Sequence, residues 1–248
     1  LRRLAYVLVA VGVFAAAALG FQCRAGEART SRPVGVIELF TSQGCSSCPK
    51  TDAAFAMMAD RRDVIAISYH VDYWNYLGWQ DTLSARENTE RQYGYSRSFG
   101  SSNVFTPQVV LNGVRTAKAG GRLQHVMTDL DALARSGHAM DVPVSASLTA
   151  DAMTVDIGSG AGKANVVIAY FKRSTTVTIE SGENIGKTME YRNAVAKMET
   201  VGVWDGKPMT IKLPATLGAK PGYDGCAILL QAHDADGNPG RIYGAAAL

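Results

Sequence analysis

Two cysteines, Cys45 and Cys48, sit in the run Gly44-Cys45-Ser46-Ser47-Cys48-Pro49 and carry the chemistry this sequence offers most directly. At this spacing a pair can cycle between dithiol and disulfide, with the thiolate as nucleophile. Beyond them Ala53, Ala54, Met57 and Met58 recur at helical spacing, and Pro49 stands near the start, where its missing N–H costs nothing. A helix predicted from Ser47 to Ala59 aims unpaired backbone N–H groups and the positive end of its dipole at Cys45. Cys45 is therefore the expected attacking group. Cys48, on the same helical face and more shielded, is the thiol expected to resolve a mixed disulfide.

Other uses of the pair compete with exchange. A zinc site wants four soft ligands, commonly two such pairs, and there is no second CxxC. Haem attachment needs a histidine where Pro49 stands. A structural disulfide remains as the plain alternative. Exchange itself requires no metal and no organic cofactor.

The elements that must hold this pair are short and local. Val34 to Phe40 reads as a strand buried on both faces, Thr41-Ser42-Gln43-Gly44 breaks it, and Val64 to Tyr69 is a second buried strand. Residues 34 to 69 thus form a strand-helix-strand unit, expected to be a right-handed parallel crossover. Residues 73 to 103 are rich in aromatics and charge, with helix-compatible sequence around Leu83 to Tyr93. Val104-Phe105-Thr106-Pro107 leads into a strand at Gln108 to Leu111, and Asn112-Gly113 is a two-residue hairpin turn. A further helix fits Arg122 to Arg135.

From Val142 the texture changes to alternating segments at 144–148, 153–157, 166–171, 175–179, 209–213 and 227–232, punctuated by Gly, Asp and Asn. The expectation is an α/β domain over 33–138 followed by a smaller all-β, sandwich-like domain over 142–248, divided near 137–141.

Ligands of open α/β sheets bind where parallel strands end, so His70, Asp72 and Trp74 should lie near Cys45. His70 is suited to stabilising a thiolate or completing a thiol-based copper site, and Trp74 to packing a substrate. The plainer alternative has His70 and Asp72 hydrogen-bonding each other or the loop. Gly158 to Gly162 and Asp234 to Asn238 read as β turns, because the first precedes no helix and the second lacks the closing acid of a calcium loop. Cys226, in an apolar strand, reads as an inert core thiol.

At 248 residues, 47% apolar and 19% charged, the chain can bury a substantial core. Residues 4 to 21 carry no charge and follow Arg2-Arg3, the layout of a secretory signal, with cleavage expected after Ala25 or Ala28. A retained membrane anchor is the competing reading. Cleavage after Ala25 removes Arg2, Arg3 and Arg24 and takes the formal net charge from +3 to zero. Nothing in that balance points to nucleic acid or an anionic membrane surface.

Phe40 to Pro49 resembles the active-site turn of thioredoxin and glutaredoxin relatives, and Thr106 to Gly113 resembles their proline loop and the hairpin after it. More closely, the chain resembles a secreted family called domain of unknown function 1223. That resemblance rests on Glu38 to Cys45, Tyr69-His70-Val71-Asp72-Tyr73-Trp74 and Gly182-Glu183-Asn184-Ile185-Gly186. It implies a thioredoxin-like fold with an appended β domain and supplies no substrate. In thioredoxin relatives the proline matching Pro107 is cis and faces the dithiol, which leaves the backbone at Thr106 free to pair with an extended substrate. Those relatives also bury an aspartate in the strand before the motif. Here the only acid is Glu38, offset by one position and read either as a proton shuttle to Cys48 or as an edge or surface carboxylate.

The expected function is an exported, periplasmic or secreted thiol-disulfide oxidoreductase. It would act on protein or small-molecule thiols and disulfides with a redox partner still to be identified. The alternative is a non-catalytic module that binds copper or a partner protein.

Overall fold

A strand whose every side chain is buried belongs at the centre of a sheet, and β1 (Gly35–Thr41) has that pattern. In the computed structural model, which describes residues 32–117 and 123–248, β1 lies between a parallel and an antiparallel neighbour. The expected export signal lies outside the described residues. The parallel neighbour is β2 (Val64–His70), in register from Gly35 opposite Val64 to Thr41 opposite His70. Between them runs α1 (Pro49–Ala59), with Cys48 at its N-cap and Pro49 as its first residue.

The chain leaves β2 through a single helical turn at Asn75–Leu77 and then α2 (Arg86–Ser98). It re-enters the sheet at β3 (Gln108–Leu111), antiparallel to β1, after a cis Thr106–Pro107 bond. Asn112 and Gly113 take positive φ angles of 48° and 68° at the centre of a turn closed by Val114 N donating to Leu111 O at 3.0 Å; β4 (Arg115–Ala117) pairs back on β3 with Arg115 opposite Leu111, so the connection has three residues where two were expected. Next comes α3 (Leu123–Leu133), extended by a wider turn at Ala134–His138.

Alternation along β1 divides the interior. Ile37 and Leu39 pack against Phe55 and Met58 of α1 and Leu130 and Leu133 of α3. Val36 and Phe40 face the other way, towards Tyr69, Tyr95 and the later strands.

Those later strands are β5 (Val144–Leu148), β6 (Ala152–Ile157), β7 (Ala164–Thr178), β8 (Thr188–Trp204), β9 (Met209–Pro214), β10 (Gly225–His233) and β11 (Pro239–Ala247), with a short α4 (Ala215–Gly218). They do not make a separate body of paired sheets. Four of them extend the main sheet, whose order is β11-β10-β7-β8-β2-β1-β3-β4, through a parallel contact of β8 with β2 at Ala194 and Ser68. The other three form a small antiparallel sheet, β5-β6-β9, packed on the face of β7 and β10 through Val144, Val155, Ile168, Ile228 and Trp204. The result is a mixed α/β main sheet with a three-stranded antiparallel sheet beside it.

The change in texture at 137–141 therefore marks a turn in the chain, and the sheet continues across it. The segments expected at 166–171 and 175–179 are one 15-residue strand, β7, and its 17-residue partner β8 had no forecast. Among the described residues no helix is long and apolar enough to cross a membrane.

Candidate functional site

Cys45 and Cys48 are joined as a disulfide, with Cα atoms 5.4 Å apart. The turn that carries them is held from within: Cys45 N donates to Ser42 O at 3.2 Å and Gly44 N to Ser42 Oγ at 3.1 Å. Cys45 Sγ lies 3.4 Å from Ser47 Oγ and 3.7 Å from the Thr106 carbonyl oxygen, and the Ser47 hydroxyl reaches the same carbonyl at 3.4 Å. Once the disulfide opens, Ser47 can turn its proton to the Cys45 thiolate, adding to the field of the α1 N-terminus.

Trp74 Nε1 donates to Thr106 Oγ1 at 2.8 Å, so the tryptophan braces the loop before β3. Thr106 thus meets both Cys45 and Trp74, and Pro107 follows it through the cis bond.

His70 ends β2 beside Thr41 and is fully buried. Its partner is Asp81: His70 Nδ1 and the backbone N of Gln43 both meet Asp81 Oδ2 at 2.8 Å. Gln43 in turn accepts from Trp79 Nε1 at 2.8 Å and donates to Thr82 Oγ1 at 3.1 Å. This web ties the loop after β2 to the turn before Cys45. Burial alone would push the His70 imidazole down, but the Asp81 and Asp52 carboxylates outweigh it and hold it above its ordinary range. Burial works against the Asp81 charge too, yet His70 and two backbone N–H groups keep that carboxyl below the usual value.

Asp72 is drawn elsewhere. It accepts from Thr89 Oγ1 of α2 at 2.6 Å, whereas the carboxylate that His70 meets is Asp81.

Glu38 is neither an edge nor a surface carboxylate. It is completely buried on the face of β1 opposite α1, where Arg91 Nε and Nη2 donate to Oε1 at 2.9 and 2.6 Å and Tyr95 OH donates to Oε2. That face turns its carboxylate away from Cys48, which opens α1.

The buried acid near the dithiol is Asp52, which follows Cys48 by four residues and so shares its helical face; that spacing is its one signal in the sequence. Thr41 Oγ1 donates to Asp52 Oδ1 at 2.7 Å, while Asp52 Oδ2 and His70 Nε2 are buried without hydrogen-bond partners. Burial lifts the Asp52 carboxyl from 3.8 to about 7, against the opposing pull of Thr41 and His70. The folded state then holds a proton that the unfolded chain releases above about pH 4. Stability is fullest below the unfolded value and declines as pH rises towards 7. Asp52→Asn should match the wild type near pH 4 and exceed it by a few kcal/mol at pH 8. Urea unfolding across that range checks the crossing; a difference that does not vary with pH would show that Asp52 is ionised throughout.

Among the described residues no three His, Cys, Asp or Glu side chains form a group able to hold a metal. Cys226 is buried and unpaired, and burial lifts its thiol to about 11, as an inert core cysteine requires.

Fold and site together define a mixed α/β protein with a CxxC disulfide at a helix N-terminus, facing the loop that precedes an antiparallel strand. The profile of the family described as "Protein of unknown function (DUF1223)" matches residues 36–231, and the chain belongs to that family. It is similar to the crystal structure of protein AGR_C_4864 from Agrobacterium tumefaciens, with 50% identity, a TM-score of 0.80, and coverage of 88% of this chain and 95% of that one. It shares its fold with HBP35 of Porphyromonas gingivalis at 15% identity and a TM-score of 0.60, over 88% of this chain and 75% of the other. No curated protein matches it significantly.

Proposed function

We propose that this protein is an exported thiol-disulfide oxidoreductase, built on a thioredoxin-like unit of β1, α1, β2, α2, β3, β4 and α3. The observation that carries the reading is the Cys45–Cys48 disulfide at the N-terminus of α1, with Ser47 Oγ and the Thr106 carbonyl beside Cys45 Sγ. The charge-free stretch after Arg2-Arg3 supports export.

The exchange runs in two steps. A substrate thiolate attacks Cys45 Sγ, the bond to Cys48 breaks, and its electron pair leaves on Cys48. A second substrate thiol, deprotonated, then attacks the substrate sulfur of the mixed disulfide, and Cys45 leaves as a thiolate that the α1 N-terminus stabilises. Asp52, whose carboxyl is lifted to about 7 and which stands one helical turn past Cys48, is suited to exchange the proton that Cys48 takes up. In reverse the same groups oxidise the reduced protein at the expense of a disulfide.

Equilibration of the purified mature protein in glutathione buffers, with free thiols counted by mass spectrometry, tests the reading. A reversible couple between about −120 and −270 mV is expected, and its value assigns the direction of electron flow. A disulfide that stays closed below about −300 mV would make the bridge structural and move the assignment to a module that binds copper or a partner protein.

A further inference from the structure

Exchange needs a nucleophile to reach Cys45 Sγ in line with the S–S bond, yet Cys45 is only 1% exposed. The backbone of the turn that carries it is bound by residues from far along the chain. β7 and β8 pair out to Thr178 opposite Thr188, and the tip between them folds onto the turn that carries the cysteine. Asn184 is buried there, and its Nδ2 donates to Gln43 O and Cys45 O, both at 2.9 Å. Lys187 Nζ donates to Asn184 Oδ1 at 2.7 Å and so fixes which end of the amide faces the turn. Ser181 Oγ donates to Gly78 O at 2.5 Å. Gly182, at φ +79°, passes so close to the loop after β2 that a Cβ on it would lie 3.2 Å from Trp79 Cβ.

At the base of the tip Ile179 is buried, but the residues beyond it are loosely held. Glu183, Ile185, Gly186 and Lys187 are all exposed, so its hold on the disulfide turn comes chiefly from Asn184. A segment with few buried contacts opens at lower free energy than the sheet that carries it.

We propose that the β7–β8 tip is a latch over the disulfide, with Asn184 as its catch, and that it determines which thiols react with Cys45. This rests on the exchange reading above. While the latch is closed a free small thiol finds no path to Sγ; a partner that engages the tip and displaces Asn184 gains one. The chemistry beneath is unchanged. The incoming thiolate forms a bond to Cys45 Sγ, the bond to Cys48 breaks, and the pair leaves on Cys48, so that the thiol is oxidised and the disulfide reduced. Asn184 touches no reacting atom and is a specificity-determining positioning residue.

The test is the second-order rate of reduction by dithiothreitol, followed by acid quench, alkylation and mass spectrometry, in the wild type, Asn184→Ala and Lys187→Ala. Loss of two hydrogen bonds from the catch should raise the open population, and the rate, about tenfold in Asn184→Ala, with a smaller rise in Lys187→Ala. Oxidation by oxidised dithiothreitol should accelerate by the same factor and leave the equilibrium with glutathione unmoved, because both directions pass the same opening. The acceleration should persist in dilute urea with only a shallow slope, as local opening exposes little surface.

A rate within about twofold of the wild type in a folded Asn184→Ala overturns the latch, since two lost hydrogen bonds would then not limit opening. A urea slope equal to that of global unfolding overturns it too. If Asn184→Ala does not fold, an unchanged rate in Lys187→Ala has the same force. A glutathione equilibrium outside the oxidoreductase range would sink the enzyme reading instead, and the dithiothreitol rates would still decide the latch.

Discussion

Cys45→Ser is expected to abolish thiol-disulfide exchange, lowering it by about a thousandfold or more, because a serine hydroxyl is neither ionised near neutrality nor able to form a disulfide. The reduction of insulin by the protein under a thiol reductant measures the loss directly. Cys48→Ser should fail in a different way. It keeps Cys45 at the N-terminus of α1 with Ser47 Oγ and the Thr106 carbonyl close by, so the first attack still proceeds. With no second sulfur to resolve it, the mixed disulfide accumulates and is seen as an adduct in the intact mass. Full activity in Cys45→Ser, or adducts forming equally on either single-serine variant, would remove the division of labour between the two cysteines.

The second large effect concerns stability. Glu38 and Arg91 form an ion pair at 2.6 Å inside the protein, with side chains 0% and 8% exposed. Arg91 Nη2 also donates to Gln231 Oε1 of β10 at 2.8 Å, and its guanidinium lies 5.1 Å from the ring centres of both Tyr69 and Tyr95. Gln231 Nε2 closes the network by donating to Tyr95 OH at 2.7 Å. Removing one member strands the other charge in a low-dielectric interior, which typically costs about 3–5 kcal/mol. Glu38→Ala should lose that much in a urea titration. Because the network joins β1, α2 and β10, the loss should appear as one transition with a lower midpoint and no separate early step. Exchange at Cys45, assayed where the variant is still folded, should stay within a few-fold of the wild type, since Glu38 lies on the face away from α1. A proton shuttle through Glu38 would instead lower activity and leave stability nearly unchanged, so the two measurements together discriminate.

How far each part could be read from the chain follows from how local its cause is. The strand-helix-strand unit rests on apolar runs and helical periodicity within 36 residues, and the β3–β4 hairpin rests on two turn residues. Asp52 was within reach of the same reasoning, as it stands one helical turn from Cys48, but a carboxylate in a helix looks like a solvated one until its burial is seen. β8 is not legible in the sequence because its exposed, half-buried and buried positions follow no clean period, and β11 is not because Pro-Gly-Arg-Ile-Tyr-Gly-Ala-Ala-Ala is poor in strand-favouring residues.

The sequence by itself determined the dithiol, the helix that opens at it, the strands on either side and the turn at Asn112-Gly113. Each of these depends on near neighbours in the chain. Tertiary structure alone decided that β8 carries the sheet across the change in texture at 137–141. It also gave Glu38 a partner 53 residues away and set Asn184 on the carbonyl of Cys45 across 139 residues. Pairings of that range leave no periodic trace in the chain, because a buried charge or amide is satisfied by whichever partner the packed core brings within reach.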